Sequence, residues 1–174
     1  KREIRYLDTG YYGLGFPHWG IEALIEAYRK FYTHYGTTSV LGVQLQMSLE
    51  LLICEVGISD QPFILSYKKY GDYATDSFCK SLWEKLDHFD CRLFLNHTLF
   101  RLPREHDRWM MTALEQAGYS PEECRTLNLV RLHQQVLYES DIFEADGRSV
   151  NSKYLSPRQT GTQWSSYRFG KQRP

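Results

Sequence analysis

Residues Ser120 to Gly147 read SPEECRTLNLVRLHQQVLYESDIFEADG, and the fold turns on how this stretch is read. Its opening carries the marks of a helix start. Ser120 can accept from the first free backbone N–H groups, Pro121 suits the first helical position, and Glu123 completes a capping box. Gly147 can take the left-handed conformation that closes a helix. Between them the apolar side chains fall on two stripes at helical spacing. Leu129, Leu132, Val136 and Phe143 make the first; Leu127, Val130, Leu137 and Tyr138 make the second. A surface helix has one apolar face, so two stripes require neighbours on both sides. The expectation is a long central helix over 120–147. Asn128, Arg131, Gln135 and Glu139 form a polar strip between the stripes, either facing solvent or making a hydrogen-bonded seam against another segment.

Working outward, four more helices are predicted. One spans 19–35, where Ile21, Leu24, Ile25, Tyr28, Phe31, Tyr32 and Tyr35 recur at helical spacing before Gly36. A second spans 39–56. Val43, Leu45, Met47, Leu49 and Leu51 alternate as a strand would, but Leu41, Leu45, Leu49, Leu52 and Val56 also fit one helical stripe. The run is too long for a typical strand, so length decides for helix, with Thr38 as cap and Gly57 as stop. Helices over 70–89 and 104–117 follow. CRLFLN, Cys91 to Asn96, alternates like a strand and is expected to pair with Phe63–Leu65. The fold class predicted is therefore all-α: a five-helix, bundle-like domain with a small two-stranded β-ribbon. Residues 1–18 form an irregular aromatic arm, 19–147 the helical domain and 148–174 a basic tail. Within the arm, Tyr6, Tyr11, Tyr12 and Phe16 either pack on the core or offer rings to stack on bases.

The bulk numbers narrow the class. A chain of 174 residues with 42% apolar and 15% aromatic content can bury a core of its own. No stretch approaches the roughly 20 apolar residues of a membrane span, and KREIRYLDTGYYGLGF lacks the apolar run of a signal peptide. Cys54, Cys79, Cys91 and Cys124 are widely spaced and show no CxxC, so reduced thiols and an intracellular location are expected. Starting at Lys1 without a methionine, the chain reads as a piece of something longer.

Motifs that would announce a reaction are missing. Asp87, His88, Asp90, Cys91 and His97 crowd together, but a structural zinc wants four ligands and no second Cys/His pair lies nearby. There is no GxSxG, and GYYGLGF lacks both the P-loop Lys-Ser/Thr and the GxGxxG spacing. The charged PREHDRW segment, Pro103 to Trp109, is accounted for by acids near a helix start and by Arg104 and Arg108 as their partners. A helix-turn-helix built on AGYSPEE would present Glu122 and Glu123 to phosphates, which excludes it. No catalytic residue, cofactor or metal is expected.

Charge is the most suggestive remaining feature. Beyond Asp146 there is no acid, while Arg148, Lys153, Arg158, Arg168, Lys171 and Arg173 are all basic; residues 1–147 then hold 15 basic against 21 acidic groups, a net of −6. Trp164 and Tyr167 interleave with these cations. Arg148, Lys153, Arg158, Trp164, Tyr167, Arg168, Lys171 and Arg173 are thus the candidate nucleic-acid-binding residues, for single-stranded RNA or DNA. The rival expectation is a protein–protein interaction or oligomerisation module without nucleic-acid contact, docking other domains of its parent protein or another copy of itself. A large exposed apolar patch would favour that rival.

The blocks GLGFPHWGIEALI, SLELLICEVGISDQPF, SLWEKLDHF, LPREHDRWMM and NLVRLHQQVLYESDIFEADG occur in this order. They resemble an uncharacterised helical segment found downstream of the reverse-transcriptase region in retroelement-like proteins of algae and other protists. The resemblance covers most of residues 13–155. It implies a non-catalytic accessory domain assisting RNA or DNA binding through basic termini. The polymerase itself is not implied, because YGDYATD, Tyr70 to Asp76, does not match the metal-binding Tyr-x-Asp-Asp motif.

Overall fold

In a computed structural model of the chain, the described residues are 5–6, 15–97, 99, 104–105, 107–144, 146, 149–151 and 154. They are mostly helical: α1 (Trp19–His34), α2 (Val40–Val56), α3 (Tyr67–Tyr70), α4 (Phe78–His88), α5 (Met110–Gln116) and α6 (Pro121–His133). The chain divides into two compact units, 1–52 with 62–95, and 53–61 with 96–174.

In the first unit, side chains just outside α1, α2 and α4 start these helices. His18 Nδ1 accepts from the Ile21 N–H at 3.3 Å to begin α1. Ser39 Oγ, rather than the expected Thr38, accepts from the Gly42 N–H at 3.1 Å to begin α2. Ser77 Oγ accepts from the Lys80 N–H at 3.1 Å to begin α4. Each supplies an acceptor to a donor that has no partner within its helix. The core is aromatic: the rings of Phe31 and Phe63 meet edge to face at 5.5 Å, and those of Tyr67 and Trp83 at 5.2 Å. Trp83, fully buried, donates its indole N–H to the Leu65 carbonyl at 2.8 Å.

The second unit centres on the α5–α6 hairpin. Ser120 makes the capping box read from the sequence: its Oγ accepts from the Glu123 N–H, and its own N–H donates to the Glu123 carboxylate at 2.9 Å. Of the polar strip, Asn128 and Arg131 are buried and form a hydrogen-bonded seam, whereas Gln135 is exposed and Glu139 lies beyond the end of α6, paired with Arg108. Arg131, 1% exposed, donates to the carbonyls of Cys54 and Glu55, both at 2.7 Å, and to Asn128 Oδ1 at 2.8 Å. Asn128 Nδ2 adds a bond to the Glu55 carbonyl at 3.2 Å. A cation thus sits on carbonyls in the last turn of α2, where the helix dipole favours it. Gly57, at φ 66°, leaves room for the guanidinium, which a Cβ there would overlap.

Several expectations are corrected. The helix expected to reach Gly147 ends at His133, and Gly147 itself lies outside the described residues. Gln135 takes the left-handed conformation at φ 57°, Val136 N–H donates to Arg131 O, and Gln135 N–H donates to Leu132 O. That pair of bonds is the Schellman closure, made without glycine. Val136, Leu137 and Tyr138 are buried as foreseen, but from a non-helical segment, while Leu129 is 66% exposed. The helix expected over 104–117 begins only at Met110, because Asp107 is engaged by the N–H and hydroxyl of Ser140, and Trp109 forms an antiparallel bridge with Tyr138. The helix over 70–89 is interrupted: a 3-10 turn, Gly71–Tyr73, follows α3, and the Ser77 cap starts α4 afresh. The β-ribbon is not formed among the described residues. Pro62–Ile64 is a 3-10 turn, Cys91–His97 is irregular, and one backbone bond, Leu93 N–H to Phe63 O at 3.3 Å, joins them. The β pairing present consists of isolated bridges at Trp109–Tyr138 and Phe143–Val150.

Candidate interaction surface

Within the first unit, α2 carries the feature least expected of a small helical domain. Its sequence, VLGVQLQMSLELLICEV, holds only Glu50 and Glu55 as charges, so it is apolar almost all round. A helix of that kind is normally enclosed on every side. One side of α2 is enclosed, through Leu49 and Leu52. The opposite side is not: Val40 is 76% exposed, Met47 65% and Leu51 52%, with Val43 and Gln44 exposed beside them. These positions lie three, four and seven residues apart, which makes them one continuous row on the helix surface.

Beside this row lies a groove of about 450 Å³ lined by Lys30 and His34 of α1, Leu41, Gln44 and Leu45 of α2, and Phe78 at the start of α4. Its lining combines the polar Lys30, His34 and Gln44 with the apolar Leu41, Leu45 and Phe78. Lys30 is held at 3.6 Å from Glu26 in an exposed i,i+4 pair, an arrangement contributing no more than about 0.5 kcal/mol. The groove holds no acid–base pair or nucleophile, so its chemistry is that of receiving apolar side chains. On α1, Ile21, Ile25, Tyr28 and Tyr32 are also exposed, with the Tyr28 and Tyr32 rings stacked at 5.9 Å.

A smaller cleft of about 250 Å³ is lined by Arg5, Tyr6, Phe16, Pro17 and Trp19. Tyr6 and Phe16 are exposed rather than packed on the core, and the Tyr6 ring lies 4.6 Å from that of His18. Tyr11 and Tyr12 lie outside the described residues.

The other clusters read from the sequence have structural roles. Arg108 grips the Glu139 carboxylate with two nitrogens, at 2.8 and 2.7 Å, tying the start of α5 to the 3-10 turn Glu139–Ile142. Arg92 lies 3.5 Å from Asp87 and 3.4 Å from Asp90. Among the described residues no three His, Cys, Asp or Glu side chains gather as a metal site would require. Burial pushes the Cys79 thiol pKa up, against a smaller opposing effect of a hydrogen bond with Ser48. No described helix is long and apolar enough to cross a membrane.

Comparison of the chain with protein-family models, curated proteins and solved structures finds no match. The candidate nucleic-acid-binding residues, Arg148, Lys153, Arg158, Trp164, Tyr167, Arg168, Lys171 and Arg173, all lie outside the described residues. The outward row of α2 escaped the sequence reading, which assigned one stripe to this helix. The signal was present in Val40, Val43, Met47 and Leu51, a second apolar row on the side away from Leu49.

Proposed function

We propose that this chain is a non-catalytic interaction module that receives an apolar helical segment on the α1–α2 side of its first unit. One observation carries the reading: an uncharged, exposed row along α2 with an apolar groove beside it. Scattered exposed apolar residues are ordinary, whereas a continuous row beside a groove is the form of a docking surface. The ordered sequence blocks that resemble a retroelement segment support placing this helical module within a larger retroelement-like protein, as an accessory part. An intracellular setting accompanies that placement.

A second reading, single-stranded RNA or DNA binding, is favoured by the cleft of Arg5, Tyr6, Phe16 and Trp19, which combines a cation with exposed rings. The acid-free composition beyond Asp146 adds to it. The two readings separate in one titration series. The chain is mixed with the polypeptide segments that flank it in its open reading frame, with itself, and with a single-stranded RNA oligonucleotide. The interaction reading expects a protein partner whose binding varies little with salt and is lost in Leu41→Lys and in Phe78→Lys. Binding of RNA alone, falling steeply with salt and abolished by changing Arg158, Arg168, Lys171 and Arg173 to Gln, would overturn it.

A further inference from the structure

The exposed row of α2 is matched to itself. Taking Val40, Gln44, Met47 and Leu51 as a seam, the spacings are four, three and four residues, the alternation by which paired helices interlock. When two copies of this seam run antiparallel about a two-fold axis midway between Gln44 and Met47, Val40 of one copy meets Leu51 of the other, and Gln44 meets Met47. Small then faces large at the ends, and two unbranched side chains of similar length face each other at the centre. We propose that the segment received by this face is α2 of a second copy, so that the module self-associates through an antiparallel α2–α2 contact; this rests on the interaction reading above.

Charge supports the choice of partner and direction. No Asp, Glu, Lys or Arg stands at positions 40, 43, 44, 47 or 51, so a symmetric pairing sets no charge in the seam. Glu50 flanks it, and the antiparallel arrangement holds the two Glu50 residues roughly nine residues apart along the helices, about 13 Å at 1.5 Å per residue. That exceeds the screening length of about 8 Å at physiological salt, so their repulsion is weak. The antiparallel direction also sets opposite helix dipoles side by side. A strongly charged partner, such as a nucleic acid, has nothing to pair with on this row. The central Gln44 is a polar residue within an apolar seam, a device that fixes register at a cost in affinity. A seam of four residues per chain is short beside the roughly 800 Å² per partner of a standard interface, so the association is an equilibrium that responds to concentration.

The test is sedimentation equilibrium of the full chain over a two-decade concentration range, with reciprocal charge variants. Gln44→Lys alone and Met47→Glu alone should each weaken self-association by roughly ten-fold or more, since each puts a charge into the apolar seam. In the doubly substituted chain, Lys at 44 faces Glu at 47 of the other copy twice, and association should return to within about three-fold of the parent. Circular dichroism of each variant confirms that the fold is kept, because both positions are exposed. A parent chain that stays monomeric throughout, or a double variant no better than the singles, overturns the proposal. A monomeric chain that still binds a flanking segment through Leu41 and Phe78 would overturn the self-pairing alone and leave the interaction reading in place.

Discussion

Replacing Arg131 by Met tests the buried seam of the second unit. The substitution keeps an unbranched apolar stem of similar reach and removes the guanidinium. The carbonyls of Cys54 and Glu55 then each lose a donor at 2.7 Å, Oδ1 of Asn128 loses one at 2.8 Å and the Val136 carbonyl one at 3.3 Å, while the Asn128 bond to the Glu55 carbonyl at 3.2 Å does not involve the guanidinium. Hydrogen bonds to a charged donor contribute about 1.5–3 kcal/mol each, but such bonds are not additive, and removing a buried cation also removes its own desolvation cost. A net loss of about 3–5 kcal/mol is expected, a large fraction of the roughly 5–15 kcal/mol that holds a domain folded. Urea unfolding followed by circular dichroism reads it as a fall in midpoint of about 1–3 M. Arg131→Lys should fall between, because an ammonium cannot span the same acceptors. Gly57→Ala should also destabilise, through its left-handed backbone and through overlap with the guanidinium. In the Arg131→Met background that overlap is gone, so the two losses should sum to less than their separate values. Loss of less than about 1 kcal/mol in Arg131→Met would refute the idea that this network holds the end of α2.

Four further outcomes follow from local geometry. Ser120→Ala should cost about 1 kcal/mol through the lost cap. The Glu123 carboxyl is held below its usual 4.5 by hydrogen bonds from the Ser120 hydroxyl and backbone N–H. Its contribution is therefore complete above that value and lost as pH falls through the lowered one, and Glu123→Gln should flatten this part of an acid-denaturation profile. Gln135→Gly should raise stability by about 0.5–1 kcal/mol, read from the urea midpoint, since glycine takes the left-handed position without the steric cost that Gln bears. Brief alkylation with mass spectrometry should label the exposed Cys91 in the folded chain and Cys79 only after unfolding; equal labelling of both would mean that the α4 core opens readily.

Where local chemistry decides structure, the sequence was a good guide. The periodicity of 19–35 and 39–56 anticipates α1 and α2 to within a residue or two, and Ser-Pro-Glu-Glu states its own cap at Ser120. Periodicity fails where distant contacts intervene. Nothing local announces that Gln135 will adopt a left-handed backbone, so the apolar rhythm alone extends the expected helix to Gly147. Asp107 stays out of a helix because Ser140, far along the chain, claims its carboxylate. Arg131 carries a charge that composition would send to the surface; its burial depends on carbonyls more than seventy residues earlier. The outward row of α2 was readable as residue types but not as a surface, because which side of an apolar helix is covered depends on its neighbours.

The chain has three methionines, and they differ sharply in access: Met110 and Met111 are fully buried, whereas Met47 stands on the open side of α2. Mild peroxide should therefore convert Met47 first, and the sulfoxide it forms is polar where the row is apolar. That difference makes the native chain its own footprinting reagent. The rate at which Met47 oxidises, set against the silent Met110 and Met111, reports how much of the time the α2 face is covered, without any substitution in the protein.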